Sequence, residues 1–173
     1  MDTIKFYKQG QYFEFSNYYR SSFVVDNVKY STSEAYFQSK KFIGEYSDLI
    51  AQTDSPQKAK DMGNQRINRF GNSWLINKSK PELGLVNDAI RKYKHLRIVE
   101  NWEDNLSVDT MFTAVREKFR QNERLKELLI STYPNHIEEN SPTDYYWGIG
   151  KDGTGKNMLG LVLVEIRREF IHE

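Results

Sequence analysis

Short runs of aromatic and β-branched residues in the first thirty positions predict a small β-sheet. Phe13 and Phe15 alternate with polar residues, and the apolar run Phe23 to Val25 follows them. The pair Asp26-Asn27 separates this run from Val28 to Tyr30, as a turn separates the two strands of a hairpin. We expect these strands to form the N-terminal part of the fold.

Most of the remaining apolar residues recur at the spacing of a helix. Thr32-Ser33 and Ser107 offer N-caps, and Pro56 suits a first helical position. The last periodic segment is apolar enough to be a helix throughout or a helix with a strand-like start. The predicted helices cover residues 34–43, 56–63, 82–96, 107–119, 123–130 and 158–171.

Two segments lack this period and are rich in turn-forming residues instead. Residues 67–85 contain Asn, Gly, Ser and Pro, and residues 133–157 contain four Gly and two Pro. Strands followed by helices, without a linker or a repeat, predict an α+β fold. We expect a single compact, predominantly helical domain over residues 1–173, with a small N-terminal β-sheet.

Composition restricts the classes of function. The 173 residues suffice for one domain with a sizeable core, and a net charge of +1 gives no general argument for binding nucleic acid or a membrane. The absence of Cys excludes disulfides, thiolate metal sites and cysteine nucleophiles. Three scattered His residues suggest no metal site. No signal peptide or apolar span is visible, so we expect a cytoplasmic protein.

The segment GKDGTGKN, residues 150–157, is similar to a nucleotide-binding P-loop. Gly150, Gly155 and Lys156 fit that pattern, but Asn157 stands where the P-loop has Ser or Thr. No buried strand is predicted before the segment, which argues against an ATPase. A plain glycine turn remains open, and so does an anion site made by backbone N–H groups at a helix N-terminus.

A polar stripe accompanies the first predicted helix. Glu34, Gln38 and Lys41 are spaced i, i+4, i+7 and therefore lie on one face of the helix. One interpretation is a solvated face with weak pair interactions. The other is a functional carboxylate in the first turn, where the helix dipole favours its charge.

Five segments of the chain resemble the signature blocks of the NADAR superfamily. The last of them is similar to the family's E-x-S-x-x-D-x-x-W-G-x-G-x-x-G-x-G-x-N block, in which Asn157 is the expected residue. The segments are FSNYY (15–19), YSTSEAYFQSKKF (30–42), KAKDMGNQR (58–66), MFTAVREKFRQNERLKELLIST (111–132) and EENSPTDYYWGIGKDGTGKNMLGLVLVEIR (138–167).

The resemblance implies hydrolysis of an N-glycosidic bond between a phosphorylated ribose and an amine or base, with no cofactor. Glu34 occupies the position of the family's catalytic glutamate, where it would orient water or stabilise an oxocarbenium ion. Lys41 would hold Glu34 or meet a phosphate. Asp144 would protonate or hydrogen-bond the leaving amine, although a turn-forming role is equally open for it.

The resemblance also implies a set of substrate-binding residues. Trp147 would stack on the base, the loop glycines and Asn157 would reach phosphate or ribose, and two arginines would bind phosphate. Ser16 and Asn17 would contact ribose hydroxyls or form a turn. The set is Ser16, Asn17, Gln38, Arg66, Trp147, Gly148, Gly150, Gly155, Asn157 and Arg167.

The natural substrate is left open by these motifs. Two activities of the family are removal of ribosyl phosphate from riboflavin-pathway pyrimidines and removal of ADP-ribose from guanine, including guanine in DNA, which would pair the protein with an ADP-ribosylating toxin. Ala35 replaces the family's usual His, and an insertion is expected at about residues 67–101. A module that binds ADP-ribose or NAD without cleaving it is the alternative, and it would not need the pair Glu34 and Asp144.

Overall fold

A computed structural model of the chain describes residues 2–63, 97–99, 102 and 106–173. The predicted helix over 82–96, Arg66 and most of the expected insertion lie outside these residues. The strands are Thr3–Phe6 (β1), Phe23–Val25 (β2), Val28–Tyr30 (β3), Phe42–Ile43 (β4), Arg97–Ile98 (β5) and His136–Glu139 (β6). The α-helices are Ser33–Ser39 (α1), Glu45–Ala51 (α2), Pro56–Gly63 (α3), Ser107–Arg120 (α4), Glu123–Ser131 (α5) and Met158–His172 (α6).

The strands of the described residues form three separate two-stranded sheets. β2 and β3 form the predicted antiparallel hairpin, and Asp26 and Asn27 between them both have positive φ angles, as a tight hairpin turn requires. β4 pairs with β5 in the antiparallel direction. β1 pairs with β6 in parallel, from Thr3 opposite His136 to Phe6 opposite Glu139. The fold is therefore α+β, as predicted.

One predicted strand is absent from the structure, and one strand was not predicted. Phe13–Phe15 is a turn of 3₁₀ helix that buries Phe15, because the chain curls back there instead of extending. Residues 133–157 were expected to be turns, yet β6 lies within them. The single apolar residue of β6, Ile137, is too weak a period for a strand to be recognised.

The helix boundaries show a similar mixture of agreement and correction. Thr32 caps α1 by accepting the Ala35 N–H at 3.1 Å, as expected. The helix ends at Ser39, and the apolar residues Phe42 and Ile43 belong to β4. Ser107 is not the N-cap of α4 but its first helical residue, and it is buried; Leu106 occupies the N-cap position. The last segment is helical throughout, from Met158 to His172, without the strand-like start that the sequence left open.

The core forms around α6, which packs against α4, α5 and β6. Leu159, Leu163 and Ile166 of α6 are fully buried. Phe15 meets the rings of Phe6 and Phe119 at centroid distances of 5.9 and 5.8 Å. Many of the rings in this aromatic-rich chain thus fill the core. In the part of the chain that the structure describes, no helix is both long and apolar enough to cross a membrane.

Candidate active site

A cavity of about 180 Å³ opens between α1, α3, the end of β6 and the loops that follow β1 and β6. The structure brings predicted residues from three separate segments into its wall. They are Ser16, Asn17, Glu34, Gln38, Lys41, Asp144 and Trp147.

Glu34 is the buried carboxylate of this cavity. Only 6% of its surface is exposed, and its Oε1 accepts a hydrogen bond from Gln38 Nε2 at 2.9 Å. Its backbone N–H donates to the Asn17 carbonyl at 3.2 Å, which fixes the first turn of α1 against the loop. Glu34 and Gln38 of the polar stripe are therefore buried, so the interpretation as a solvated face is wrong for them. Lys41 is half-buried and lies two residues beyond the end of α1.

Burial raises the pKa of the Glu34 carboxyl group. The hydrogen bond from Gln38 and the positive charges of Lys60, Lys41 and Lys8 oppose that effect. A carboxylate held between burial and positive charge is a good candidate for a group that gains and loses a proton during a reaction.

Close approach of α3 to α1 supports this arrangement. Gln38 Oε1 is buried and has no hydrogen-bond partner among the described residues. A Cβ at Gly63 would overlap the Gln38 side chain, so only glycine allows α3 to pass here. Gln38 is thereby confined to the position in which its amide N–H₂ faces Glu34.

The loop that carries Ser16 and Asn17 is held from both sides. Asn17 Oδ1 accepts from Ser33 Oγ at 2.8 Å, and Asn17 Nδ2 donates to Met111 Sδ at 3.2 Å. Ser16 Oγ accepts the Tyr18 N–H at 3.2 Å. Ser16 therefore forms a turn, the alternative that the sequence left open, and Asn17 joins α1 to α4, which was not predicted. Both residues line the cavity.

Three lysines surround the cavity, and only Lys41 was predicted. Lys8 follows β1 and places Nζ 4.2 Å from the centroid of the Tyr18 ring, and Lys60 comes from α3. Lys41 Nζ lies 5.3 Å from the centroid of the Phe37 ring. Lysines converging on one cavity attract an anion such as a phosphate.

Asp144 and Trp147 form one rim of the cavity. Asp144 Oδ1 accepts the backbone N–H groups of Tyr146 at 2.9 Å and Trp147 at 2.7 Å, so the expected turn is present. This turn orients Trp147, whose ring also meets the edge of Phe37 at 5.4 Å. The indole thus lies where a planar base could stack on it.

The glycine loop does not offer its donors to the cavity. The N–H of Gly150 donates to the Asp144 carbonyl at 3.1 Å, and the N–H of Gly155 donates to the Ile149 carbonyl at 2.8 Å. The N–H of Asn157 is bonded to Gly148 in the same way, at 3.1 Å. Gly148, Gly150, Gly155 and Asn157 do not line the cavity, so the structure does not bring the predicted phosphate cradle into the wall that holds Glu34.

Tight packing explains the residue types of this loop. A Cβ at Gly148 would lie 2.8 Å from the Glu139 carbonyl oxygen and 2.9 Å from Ser141 Cβ. Asn157 adopts a positive φ of 53°, and its side chain bonds to the backbone of β6. The loop is therefore built to lie against β6.

The structure does not place Arg167 where a phosphate contact was expected. Arg167 is buried within the core and donates from Nη1 to Thr132 Oγ1 at 2.9 Å, with its guanidinium 5.7 Å from the Tyr133 ring centroid. Burial lowers its pKa. Because Arg167 is absent from the cavity wall, the structure gives it a packing role and not the expected phosphate contact.

Glu139 is the most important site residue that sequence reasoning missed. It ends β6, lines the cavity, and has a buried Oε2 without a hydrogen-bond partner among the described residues. Burial and the negative charges of Asp144 and Glu34 raise its pKa to about 7, against the opposing charges of Lys60 and Lys8. Its signal was the first residue of the E-x-S-x-x-D block.

These carboxylates are not arranged as metal ligands. Across the described ranges, no group of three or more His, Asp or Glu residues is placed to hold a metal ion. The cavity instead combines a buried carboxylate, lysines and an indole face. Such a site can hold an anion and stabilise positive charge on a group bound beside Glu34.

Comparisons with known proteins agree with this arrangement. The NADAR domain model matches residues 5–171. N-glycosidase YbiA of Escherichia coli (strain K12) is 36% identical over 175 residues, which span 99% of this chain and 91% of that protein. The chloroplastic riboflavin biosynthesis protein PYRR of Zea mays is 29% identical over 98% of this chain, which matches 25% of PYRR.

A solved structure shows the same fold. The NMR structure of Escherichia coli YbiA superposes with a TM-score of 0.74 and 34% sequence identity, covering 99% of this chain and 86% of that one. The family model and the curated relatives extend over nearly the whole chain, including every residue of the cavity wall. The chain therefore belongs to the NADAR domain family, as a hydrolase that acts on N-glycosyl compounds.

Proposed function

We propose that this protein hydrolyses the bond between C1 of a phosphorylated ribose and the nitrogen of an amine or nucleobase. The observation that carries the proposal is the burial of Glu34 in a cavity that Lys8, Lys41, Lys60 and Trp147 also line. The cavity thus offers one group for each part of such a substrate. The named N-glycosidases among the relatives support the same reaction class.

Glu34 is suited to stabilise the positive charge that develops on the reacting carbon, C1. Departure of the nitrogen leaves positive charge on C1, as in other glycosidases. A carboxylate stabilises that charge far more strongly in a dry cavity than in water, because the local dielectric constant is low. Gln38 restrains the carboxylate through the 2.9 Å hydrogen bond, so Glu34 is preorganised either to face C1 or to orient the attacking water.

The remaining groups fit the two ends of the substrate. Lys8 and Lys60, with Lys41, would bind the phosphate by charge, as lysines do at other phosphate sites. Trp147 would stack on the base. A volume of about 180 Å³ lies below the ~300–1,000 Å³ of sites for drug-sized ligands. We therefore place the ribosyl phosphate inside and the rest of the substrate at the mouth.

Two substrate types share this ribosyl phosphate. One is a pyrimidine intermediate of riboflavin synthesis, and the similarity to PYRR supports it. The other is guanine that carries ADP-ribose, either as a nucleotide or in DNA. Both present a phosphorylated ribose bonded through C1 to the nitrogen of a planar base, so the groups of the cavity serve either.

The test is a two-substrate cleavage assay read by mass spectrometry. Wild type should release free base from at least one substrate, and Glu34→Gln should lose about 10²–10⁴-fold in turnover while remaining folded. Glu123→Gln is the matched control, because Glu123 also occupies the first turn of a helix but is exposed and away from the cavity. It should keep full activity.

The assay also separates the enzyme from a binding module. A module that only holds ADP-ribose or NAD would bind these ligands in calorimetry and give no product after long incubation. Normal turnover by Glu34→Gln would show that the protein cleaves the substrate without Glu34, and would remove Glu34 from the mechanism.

A further inference from the structure

The end of β6 directs one glutamate into the cavity and its neighbour away from it. Successive side chains of a strand point to opposite faces. Glu139 lines the cavity, whereas Glu138 pairs with Lys5 at 3.5 Å on the other side. The backbone of Glu139 is fixed on both sides: its N–H donates to Asn157 Oδ1 at 2.9 Å, and its carbonyl accepts the Ile149 N–H at 2.9 Å.

The carboxyl group of Glu139 has an oxygen that no group of the described residues satisfies. Its Oε2 is buried without a hydrogen-bond partner among the described residues. A buried ionised oxygen in that position would be costly, whereas a protonated one can donate to a ligand. The orphaned oxygen therefore points to a substrate atom as its partner.

Asp144 is less free than Glu139 to meet a substrate atom. One of its oxygens already accepts two backbone N–H groups, from Tyr146 and Trp147. These hydrogen bonds fix the Asp144 side chain in the turn. Asp144 adds negative charge beside Glu139 and so helps to keep the proton on Glu139.

We propose that Glu139 is the catalytic acid that protonates the leaving nitrogen from Oε2. The inference rests on the proposed function. As the bond between C1 and nitrogen breaks, its electron pair goes to nitrogen, which takes the Glu139 proton. Water oxygen bonds to C1 and gives a proton to Glu34. Proton exchange with solvent then returns Glu34 to its ionised form and Glu139 to its protonated form.

The charges around Glu139 agree with this division of roles. Burial raises the pKa of Glu139 most, and the negative charges of Asp144 and Glu34 raise it further, so an ionised Glu34 favours a proton on Glu139. Its pKa of about 7 makes it protonated below neutrality and ionised above it. The titratable and charged groups in the same cavity wall are Glu34, Lys41, Lys60, Lys8, Asp144, Tyr7 and Tyr18.

The experiment compares Glu139→Gln with Glu138→Gln, its matched neighbour. Two substrates are used: the one that wild type cleaves in the two-substrate assay, and 4-nitrophenyl riboside 5-phosphate, whose leaving group departs without a proton. The kcat and KM of each protein are measured between pH 5 and pH 9. Because the substrate phosphate titrates identically for all variants, differences between their profiles belong to the protein.

A proton donor predicts a selective defect. Glu139→Gln should lose about 10²–10⁴-fold in kcat on the natural leaving group, with KM little changed. It should lose roughly tenfold or less on the nitrophenyl substrate, because that step needs no acid. The decline in wild-type kcat above about pH 7, where Glu139 ionises, should disappear in the variant. Glu138→Gln should behave as wild type does.

The contrary outcomes are distinct. Equal losses of Glu139→Gln on both substrates would assign the residue a structural role, and unchanged activity on the natural leaving group would remove it from the mechanism. Either result overturns the assignment while leaving the proposed function intact. A wild type without turnover on any substrate would overturn the proposed function, and this assignment with it.

Discussion

Lys118 is a buried lysine that supports the loop carrying Ser16 and Asn17. Its side chain is fully buried, and Nζ donates to the carbonyls of Glu14 at 2.6 Å and Ser16 at 2.8 Å. These bonds hold the loop whose next residue, Asn17, contacts α1. Burial lowers the pKa of Lys118 to about 7, against the opposing charge of Glu14.

We predict that Lys118 makes stability rise with pH. Its pKa is lower in the folded state than in the unfolded chain, so between about pH 7 and pH 10 the unfolded state binds more protons. The unfolding free energy of wild type relative to Lys118→Met should therefore increase by up to about 1.4 kcal/mol per pH unit across that range. Urea denaturation at several pH values measures this difference.

The control for this prediction is Lys29→Met, at an exposed position on β3. Its stability difference from wild type should stay constant with pH. Lys118→Met should also be less stable than wild type at every pH, because two carbonyl groups lose their donor. A constant difference for Lys118→Met would contradict the assigned pKa.

Residues that share one helix turn were the easiest to predict. Glu34 and Gln38 are four residues apart in α1, so the helical period alone places them together. Lys41 lies beyond the end of the helix and still reaches the cavity. Whether that face was buried could not be read from the period. Burial comes from α3 packing at Gly63, and that contact depends on the tertiary fold.

β6 is held on two different sides by different means. On one side it pairs with β1. On the other, the Asn157 side chain accepts the Glu139 N–H at 2.9 Å and donates to the Ile137 carbonyl at 2.8 Å. Asn157 thus bonds to the strand as a neighbouring strand would, at the start of α6.

We predict that Asn157→Gly lowers the unfolding free energy by about 1–3 kcal/mol, because it leaves two backbone groups of β6 unpaired. Glycine adopts the positive φ of this position without strain, so the change isolates the side-chain bonds. Thermal and urea unfolding measure the loss. The same substitution at the exposed loop residue Asp152 should cost much less, and a stable Asn157→Gly would contradict the strand-like role.

The pairing of β1 with β6 shows why some elements could not be predicted. Each strand has four residues, and the partners are separated by more than 120 residues of chain. Parallel pairing has no turn that marks it in the sequence. The hairpin of β2 and β3 was predictable because Asp26 and Asn27 mark its turn locally.

The same limit applies to the site as a whole. The cavity combines Lys8 after β1, Lys60 on α3 and Glu139 on β6 with the stripe of α1. These residues belong to no common pattern in the sequence, and only the fold brings their charges together. The GKDGTGKN segment does have a recognisable pattern, but that pattern was misleading, since its glycines suit tight packing as well as phosphate binding.

Local charge matters more than total charge in this molecule. The net charge is only +1, yet three lysines line one cavity. The lysines give the cavity positive groups that can bind a phosphate, while Glu34, Glu139 and Asp144 place carboxyl groups in the same wall. Groups of both signs within one cavity suit a substrate whose anionic end lies close to a developing cation.

The most direct test of the account is turnover in water enriched in the heavy oxygen isotope. Cleavage between C1 and nitrogen predicts no heavy oxygen in the released base, because the base keeps all of its own atoms, with both products lost in Glu34→Gln. Mass spectrometry of the two products reads the result. Heavy oxygen in the base, or unchanged product formation by Glu34→Gln, would contradict the claim that this cavity cleaves an N-glycosidic bond with Glu34.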